Sequence, residues 1–250
     1  MQASDQNAAP DGAGGPHDGP SASPPPAGGA LRPDGGLRAV PPGTARRLGL
    51  DALTVSAVVL GDLLELVWSD PAEGLGPELE ELQFTLGEGP TVQAARRGDF
   101  CAEPDLAATD PARWPAFLPA AAHTRVRSVI AVPIRIGAAT VGVLTGYRVA
   151  PGPLTAARQR DVHRLAHDLV PLLLDSPKAV PEEETGPRPD LALYHAEIHQ
   201  ATGFLSVELG VPPAEALLRL RAHAIAGGRS LTDLARAVLA RRLPPGTFDG

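Results

Sequence analysis

The sequence predicts two folded parts behind a Pro/Gly-rich tail. The first is an α+β domain built on an antiparallel sheet flanked by helices, and the second is an all-α module of three short helices. Three observations carry this. Two pairs of apolar, β-branched runs, each pair joined by turn residues, fall between residues 57 and 149. Apolar positions recurring every three or four residues start again at Tyr194 and run to Leu239. Almost no large apolar residue precedes Leu31. The expected limits are 1–47 for the tail, 48–175 for the sheet domain, 176–189 for a linker and 190–245 for the helical module.

The tail is dominated by Pro, Gly, Ala, Ser and Asp, too little apolar surface to offset its chain entropy, and is expected to be disordered. Order is expected from Leu48. Ala57–Leu60, a Gly61-Asp62 turn and Leu63–Trp68 read as a hairpin. Residues 77–97 read as helical at both ends, interrupted by Leu86-Gly-Glu-Gly-Pro90. Phe100–Pro104 is a short strand and Trp114–Thr124 a helix. Val126, Ser128, Ile130, Val132, Ile134 and Ile136 alternate along a strand that turns at Gly137–Ala139 and returns over Val141–Val149. Pro133 within it suggests an edge or a bulge. A helix from Thr155 to about Leu174, with Val162, Leu165, Ala166, Leu169 and Leu172 or Leu173 on one face, closes the domain. Asp175–Asp190, with four prolines and the run Glu182–Glu184, reads as linker.

In the module, Tyr194, Ile198, Ala201, Leu205 and Leu209 form the first stripe, and Gly210 suits a left-handed helix end. Pro213 can open the second helix, whose inward positions are expected to be Ala214, Leu217, Leu218, Ala224 and Ile225. Gly227-Gly228 ends it. Ser230 and Asp233 form an N-cap pair for a third helix burying Leu231, Leu234, Ala235, Val238 and Leu239. Helices this short must pack on one another or on a partner.

The formal net charge of −7 excludes a generally polybasic chain, so nucleic-acid affinity has to be local. Between Arg219 and Arg242 six arginines face one acid, Asp233, a composition suited to phosphates and unpaired bases. The single cysteine, Cys101, excludes an internal disulfide and reads as a small buried residue. No apolar run reaches membrane-spanning length and no secretory signal is evident, so a cytoplasmic protein with no membrane partner is expected. His163/His167 and His195/His199 have HxxxH spacing. No third ligand is evident for either pair, and exposed or interface histidines are expected rather than a metal site. No catalytic constellation and no cofactor motif stand out, so an enzyme is not expected.

The helical segment resembles the ANTAR domain, the RNA-binding output module of bacterial antitermination regulators. The resemblance rests on His199-Gln-Ala-Thr-Gly203, Glu215-Ala216, the run Arg219–Ala224, Arg229, Leu231, Ala235, Val238 and Arg241-Arg-Leu243. Thr202 stands where many relatives carry lysine, which removes one candidate phosphate contact. The sheet domain, roughly residues 48–174, resembles a GAF sensor domain. Its marks are Leu86–Pro90, Glu103-Pro-Asp-Leu106, Arg113-Trp-Pro115, and the pair Val129–Ile134 and Gly142–Leu144. These resemblances imply a signal-responsive regulator that binds RNA hairpin loops in leader transcripts as a homodimer, with an unidentified small molecule in the sensor. The implied RNA contacts are Gln200, Thr202, Gly203, Arg219, Arg221, Arg229, Arg236 and Arg241. The alternatives are a DNA-binding helix-turn-helix regulator and a sensor or protein-interaction module that binds no nucleic acid.

Overall fold

The computed structural model describes residues 33–59, 63–175, 195–243 and 245–248, all within one unit spanning Leu31–Gly250. The expected tail up to residue 32, the Gly61-Asp62 turn, the 176–189 linker and Tyr194 lie outside the described residues.

Five antiparallel strands form one sheet: β1 (Ala52–Val59), β2 (Leu63–Asp70), β3 (Cys101–Glu103), β4 (Ser128–Ile136) and β5 (Ala139–Arg148). Their order is β2-β1-β5-β4-β3. Alternation decides the two faces. Ile130, Val132 and Ile134 of β4 join Leu53, Val55 and Leu144 in one core, whereas Val129 and Ala131 join Ala52, Val143 and Tyr147 in the other. β4 and β5 are joined at Gly137-Ala138, because Ile136 already pairs with Ala139, so the turn is one residue shorter than expected. Pro133 pairs with Val143 but lies beyond the last β3 partner, Ala131. The strand is locally an edge there on its β3 side, a position at which proline is tolerated in a sheet.

The eight α-helices among the described residues are α1 (Thr44–Arg47), α2 (Leu75–Leu86), α3 (Pro90–Arg97), α4 (Phe117–Ala121), α5 (Ala156–Asp175), α6 (Ala196–Leu209), α7 (Pro213–Ala226) and α8 (Leu231–Leu239). The stripe expected on α5 is buried at Val162, Ala166, Leu169 and Leu172 against the first core, with Leu165 half-buried. α2, α3 and α4 cover the opposite face. Gly87 ends α2 in the left-handed region (φ 70°), and Pro90 then opens α3. α4 is much shorter than the expected Trp114–Thr124 helix. Pro115 has no N–H to contribute, and the chain enters the helix where the Glu88 carboxylate accepts from the N–H groups of Ala116 and Phe117 at 2.5 and 2.7 Å.

Order begins well before Leu48, which corrects the expected tail boundary. Helical turns over Pro33–Ala39 and α1 bring Leu37, Val40 and Ala45 into the first core. The anchor is Asp70 at the end of β2, whose carboxylate accepts from Gly43 N at 3.0 Å and Ala45 N at 2.8 Å, capping α1 from across the fold. Asp70→Ala is therefore expected to cost about 1 kcal/mol and to speed tryptic cleavage at Arg46 and Arg47 while leaving the sheet intact. Unchanged cleavage would show that Leu37 and Val40 alone hold the segment.

The three C-terminal helices pack around Ile198, Ala201, Leu205, Leu217, Leu220, Leu234 and Val238. Ser230 Oγ accepts from Asp233 N at 3.0 Å, as expected of the cap, and Gly210 is left-handed (φ 64°). The inward face of α7 differs from expectation. Ala216, Leu217, Leu220 and Ala224 are buried, while Ala214 is exposed, and Leu218 and Ile225 are 63% and 62% exposed. Leu218 and Ile225, seven residues apart, lie on the opposite side of the helix, so two apolar faces competed in this short sequence. Leu239, also expected inside, is 37% exposed.

Candidate functional site

The helical core includes two residues of the sheet domain, Leu63 at the start of β2 and Phe84 of α2. Around Phe84 the two parts meet through charge and rings. Glu65, on the inward side of β2, is buried, and its Oε2 accepts from His195 Nδ1 at 3.0 Å and His199 Nε2 at 2.7 Å. Glu65 Oε1 also accepts from the His195 backbone N–H at 3.1 Å, just ahead of α6. The other ring nitrogen of His195 lies 2.6 Å from Glu81 Oε2. The His195 ring stacks on Phe84, with centroids 3.5 Å apart and planes 9° apart, and His199 meets the same ring edge-on.

Burial alone would raise the Glu65 carboxyl, but hydrogen bonds from the two histidines outweigh it and bring the pKa down to about 2. Burial alone would lower His195, and its bonds to Glu65 and Glu81 outweigh that, raising it to about 9. A charged imidazolium between two carboxylates thus joins α6 to the sheet domain.

Next to this joint is a cavity of about 190 Å³. Its apolar wall comprises Leu63, Leu64, Leu66, Phe84, Val92 and Leu217, and its polar groups come from Ser56, Glu80, Gln83, Arg96, His195 and Arg221. Glu80 is fully embedded. Its Oε1 accepts from Thr54, Tyr147 and Thr91 hydroxyls at 2.7, 2.6 and 3.1 Å, and its Oε2 from Ser56 at 3.0 Å. Burial raises its pKa despite these donors. Arg221 enters from α7, donating to the Phe84 carbonyl, with its guanidinium 5.2 Å from the Phe84 ring centroid.

The profile of the GAF domain family matches residues 43–173, just over half of the chain. The chain belongs to the GAF domain family. Solved structures similar to it include the GAF domain of a phosphoenolpyruvate-protein phosphotransferase from Acinetobacter (17% identity, 52% of this chain and 74% of that one, TM-score 0.40). Others are the GAF domain region of a membrane protein from Geobacter sulfurreducens (14%, 52% and 83%, 0.41) and the free methionine-R-sulfoxide reductase of Neisseria meningitidis with its substrate (21%, 53% and 72%, 0.39). No curated protein matches the chain.

The sequence-derived contact residues divide into two groups around this GAF domain. Gln200 and Gly203 are exposed on α6. Arg236 of α8 reaches across to Glu197 of α6 at 2.8 Å, and Arg241 holds its guanidinium 5.9 Å from the Phe204 ring. Glu197, Gln200 and Phe204, spaced three and four apart, make one α6 face flanked by those arginines. Arg229 is exposed as well. The others are turned inward. Thr202 is 1% exposed and donates to the Ile198 carbonyl at 2.7 Å, as a small hydroxyl in a helix commonly does. Arg219 is bound to the Phe248 carbonyl and to Glu215, and Arg221 is in the GAF-side cavity. Thr202 and Arg221 are thereby corrected as surface contacts in the docked arrangement.

The sequence reading missed Glu65, Glu80 and Glu81. A third donor for the His195/His199 pair does exist: Glu65, His195 and His199 offer atoms within 4.8 Å of one another. Their 2.7 and 3.0 Å contacts are hydrogen-bond lengths, whereas ligands about 2.0–2.1 Å from a tetrahedral zinc stand farther apart. Shared protons account for the geometry. The available signal was Glu65 itself, a lone acid inside the apolar run Leu63–Trp68. Cys101 is buried, and burial raises its thiol pKa despite Arg113 at 3.5 Å. No described helix is long and apolar enough to cross a membrane.

Proposed function

We propose that the chain is a signal-responsive transcription regulator whose ANTAR-like helical module binds RNA hairpins in leader transcripts and is controlled by the GAF domain. The observation that carries this is the shared cavity: the GAF domain and α7 line it together, so an occupant of the sensor touches the output module directly. Gln200, Gly203, Arg236 and Arg241 supply an exposed polar and basic strip, and splayed loop bases suit such a surface better than a duplex groove does. Homodimerisation through α5, as the resemblance implies, would place two such strips against two hairpins. The chemistry is binding rather than catalysis.

The test is a gel shift of the full chain with a two-hairpin leader RNA and with duplex DNA of equal length, across a salt series. RNA-selective binding is expected. Replacing Arg236 and Arg241 with alanine should weaken it and reduce the salt slope by roughly one unit per lost phosphate contact. Preference for the duplex would instead identify a helix-turn-helix DNA reader. A second reading draws on Val207, Leu218 and Ile225, which are 83%, 63% and 62% exposed: a protein-docking module with no nucleic-acid ligand. Failure to bind either nucleic acid at low salt would favour it.

A further inference from the structure

The cavity between the GAF domain and the helical module has unbalanced charge. Two guanidinium groups line it, Arg96 from the end of α3 and Arg221 from α7. Neither has a carboxylate partner among the described residues. Arg221 Nε is buried with no hydrogen-bond partner, and its bond to the Phe84 carbonyl neutralises no charge. Burial, and then the like charge of Arg96, lower the Arg221 pKa to about 10, so it stays protonated at neutral pH. A buried guanidinium without a counter-ion is costly, and folded proteins rarely leave one unpaired.

The carboxylate on the cavity wall does not fill that role, because both Glu80 oxygens are taken by hydroxyls of Thr54, Ser56, Thr91 and Tyr147. The surroundings add positive charge instead. A second cavity of about 270 Å³ shares Ala95 and Arg96 with the first and adds Arg97 and Arg135.

We propose that the first cavity binds a small organic anion, an apolar body carrying one carboxylate or phosphate, clamped between Arg96 of the GAF domain and Arg221 of the helical module. Size agrees with this. An apolar cavity of about 150 Å³ accepts benzene, so 190 Å³ accommodates a ring with one anionic group. The guanidinium fork suits carboxylate and phosphate alike, and the wall of Leu63, Leu66, Phe84 and Val92 suits the ring. With one arm on each part, the anion is a ligand of the docked arrangement and favours it by mass action. The inference rests on reading this cavity as the sensor site and is independent of RNA.

The experiment is isothermal titration of the full chain with benzoate, phenyl phosphate, the uncharged isostere benzamide and inorganic phosphate. Saturable binding of benzoate or phenyl phosphate is expected, at least tenfold tighter than benzamide or inorganic phosphate. Which of the two binds better assigns the head group. Arg221→Gln and Arg96→Gln should each weaken binding tenfold or more, whereas Arg164→Gln on α5 should not. Circular dichroism checks the fold of Arg221→Gln, and the exposed Arg96 supplies the second variant if that one unfolds. Benzamide binding as tightly as benzoate, no binding of either organic anion, or a folded Arg221→Gln chain that binds like the native one would overturn the proposal. Gel shifts on the same samples separate the two readings. Anion binding without RNA binding retains the site and removes antitermination, and the reverse result removes the site alone.

Discussion

Glu65→Ala is expected to destabilise the chain by about 3–5 kcal/mol, the range for removing one partner of a buried ion pair. The loss should be local. His195 would remain charged against Glu81 alone, His199 Nε2 would lose its acceptor, and the amides of α6, α7 and α8 should lose hydrogen-exchange protection while those of β1, β4 and β5 keep theirs. Equal loss throughout would mean that the two parts fold as one unit, and no loss would mean that Leu63 and Phe84 suffice to hold them. The pH dependence has a definite sign. The Glu65 contribution is complete above its ordinary 4.5 and disappears as pH falls through about 2. The His195 contribution is complete below its ordinary 6.5 and disappears as pH rises through about 9. Docking should therefore be strongest from about 4.5 to 6.5 and weaken towards alkaline pH, an effect that Glu65→Ala should flatten.

Glu80→Ala should be comparably damaging, by about 3 kcal/mol or more, because each buried donor left unpaired costs about 1–3 kcal/mol. Four hydroxyls would lose an acceptor. Thr54 Oγ1 retains only a 3.3 Å contact to the Thr145 carbonyl, and Gln83 Nε2 donates to Thr91 Oγ1 and Tyr147 OH, so it offers their O–H groups no substitute acceptor. Removing the donors as well, with Thr54→Val and Ser56→Ala added to Glu80→Ala, should recover part of the loss in urea denaturation. A strictly additive triple variant would show that these hydroxyls find other partners and that Glu80 contributes mainly by filling space.

The elements were legible because their signals are local. Alternation in Ile130–Ile134, the three-and-four spacing on α5 and the Ser230 cap each involve residues near one another in sequence. The errors arose where a distant group decided the outcome. Residues 33–47 read as tail because Leu37, Val40 and Ala45 are sparse, and Asp70, which caps α1, lies more than twenty residues away. Glu80 and Glu81 sit in the charged run Glu78–Glu81, indistinguishable by composition from a solvated helix face, yet one is at the centre of the GAF domain and the other is on His195. The basic character of the helical module was readable, but the inward turn of Arg221 depends on Phe84, more than a hundred residues away.

The presence of Leu63 and Phe84 in the helical core has a bearing on inheritance. A segment exchanged between proteins by recombination is commonly imagined as cut at its linker, carrying a finished structure to a new host. A graft of residues 195–248 would arrive with two histidines missing their acceptors and a hole where an aromatic ring belongs. A heritable unit that keeps the joint would extend back across residues 176–189 to a few positions on β2 and α2. A chimera that supplied Leu63, Glu65, Glu81 and Phe84 along with the helices would keep the joint, and one built from the helices alone would have to evolve it again.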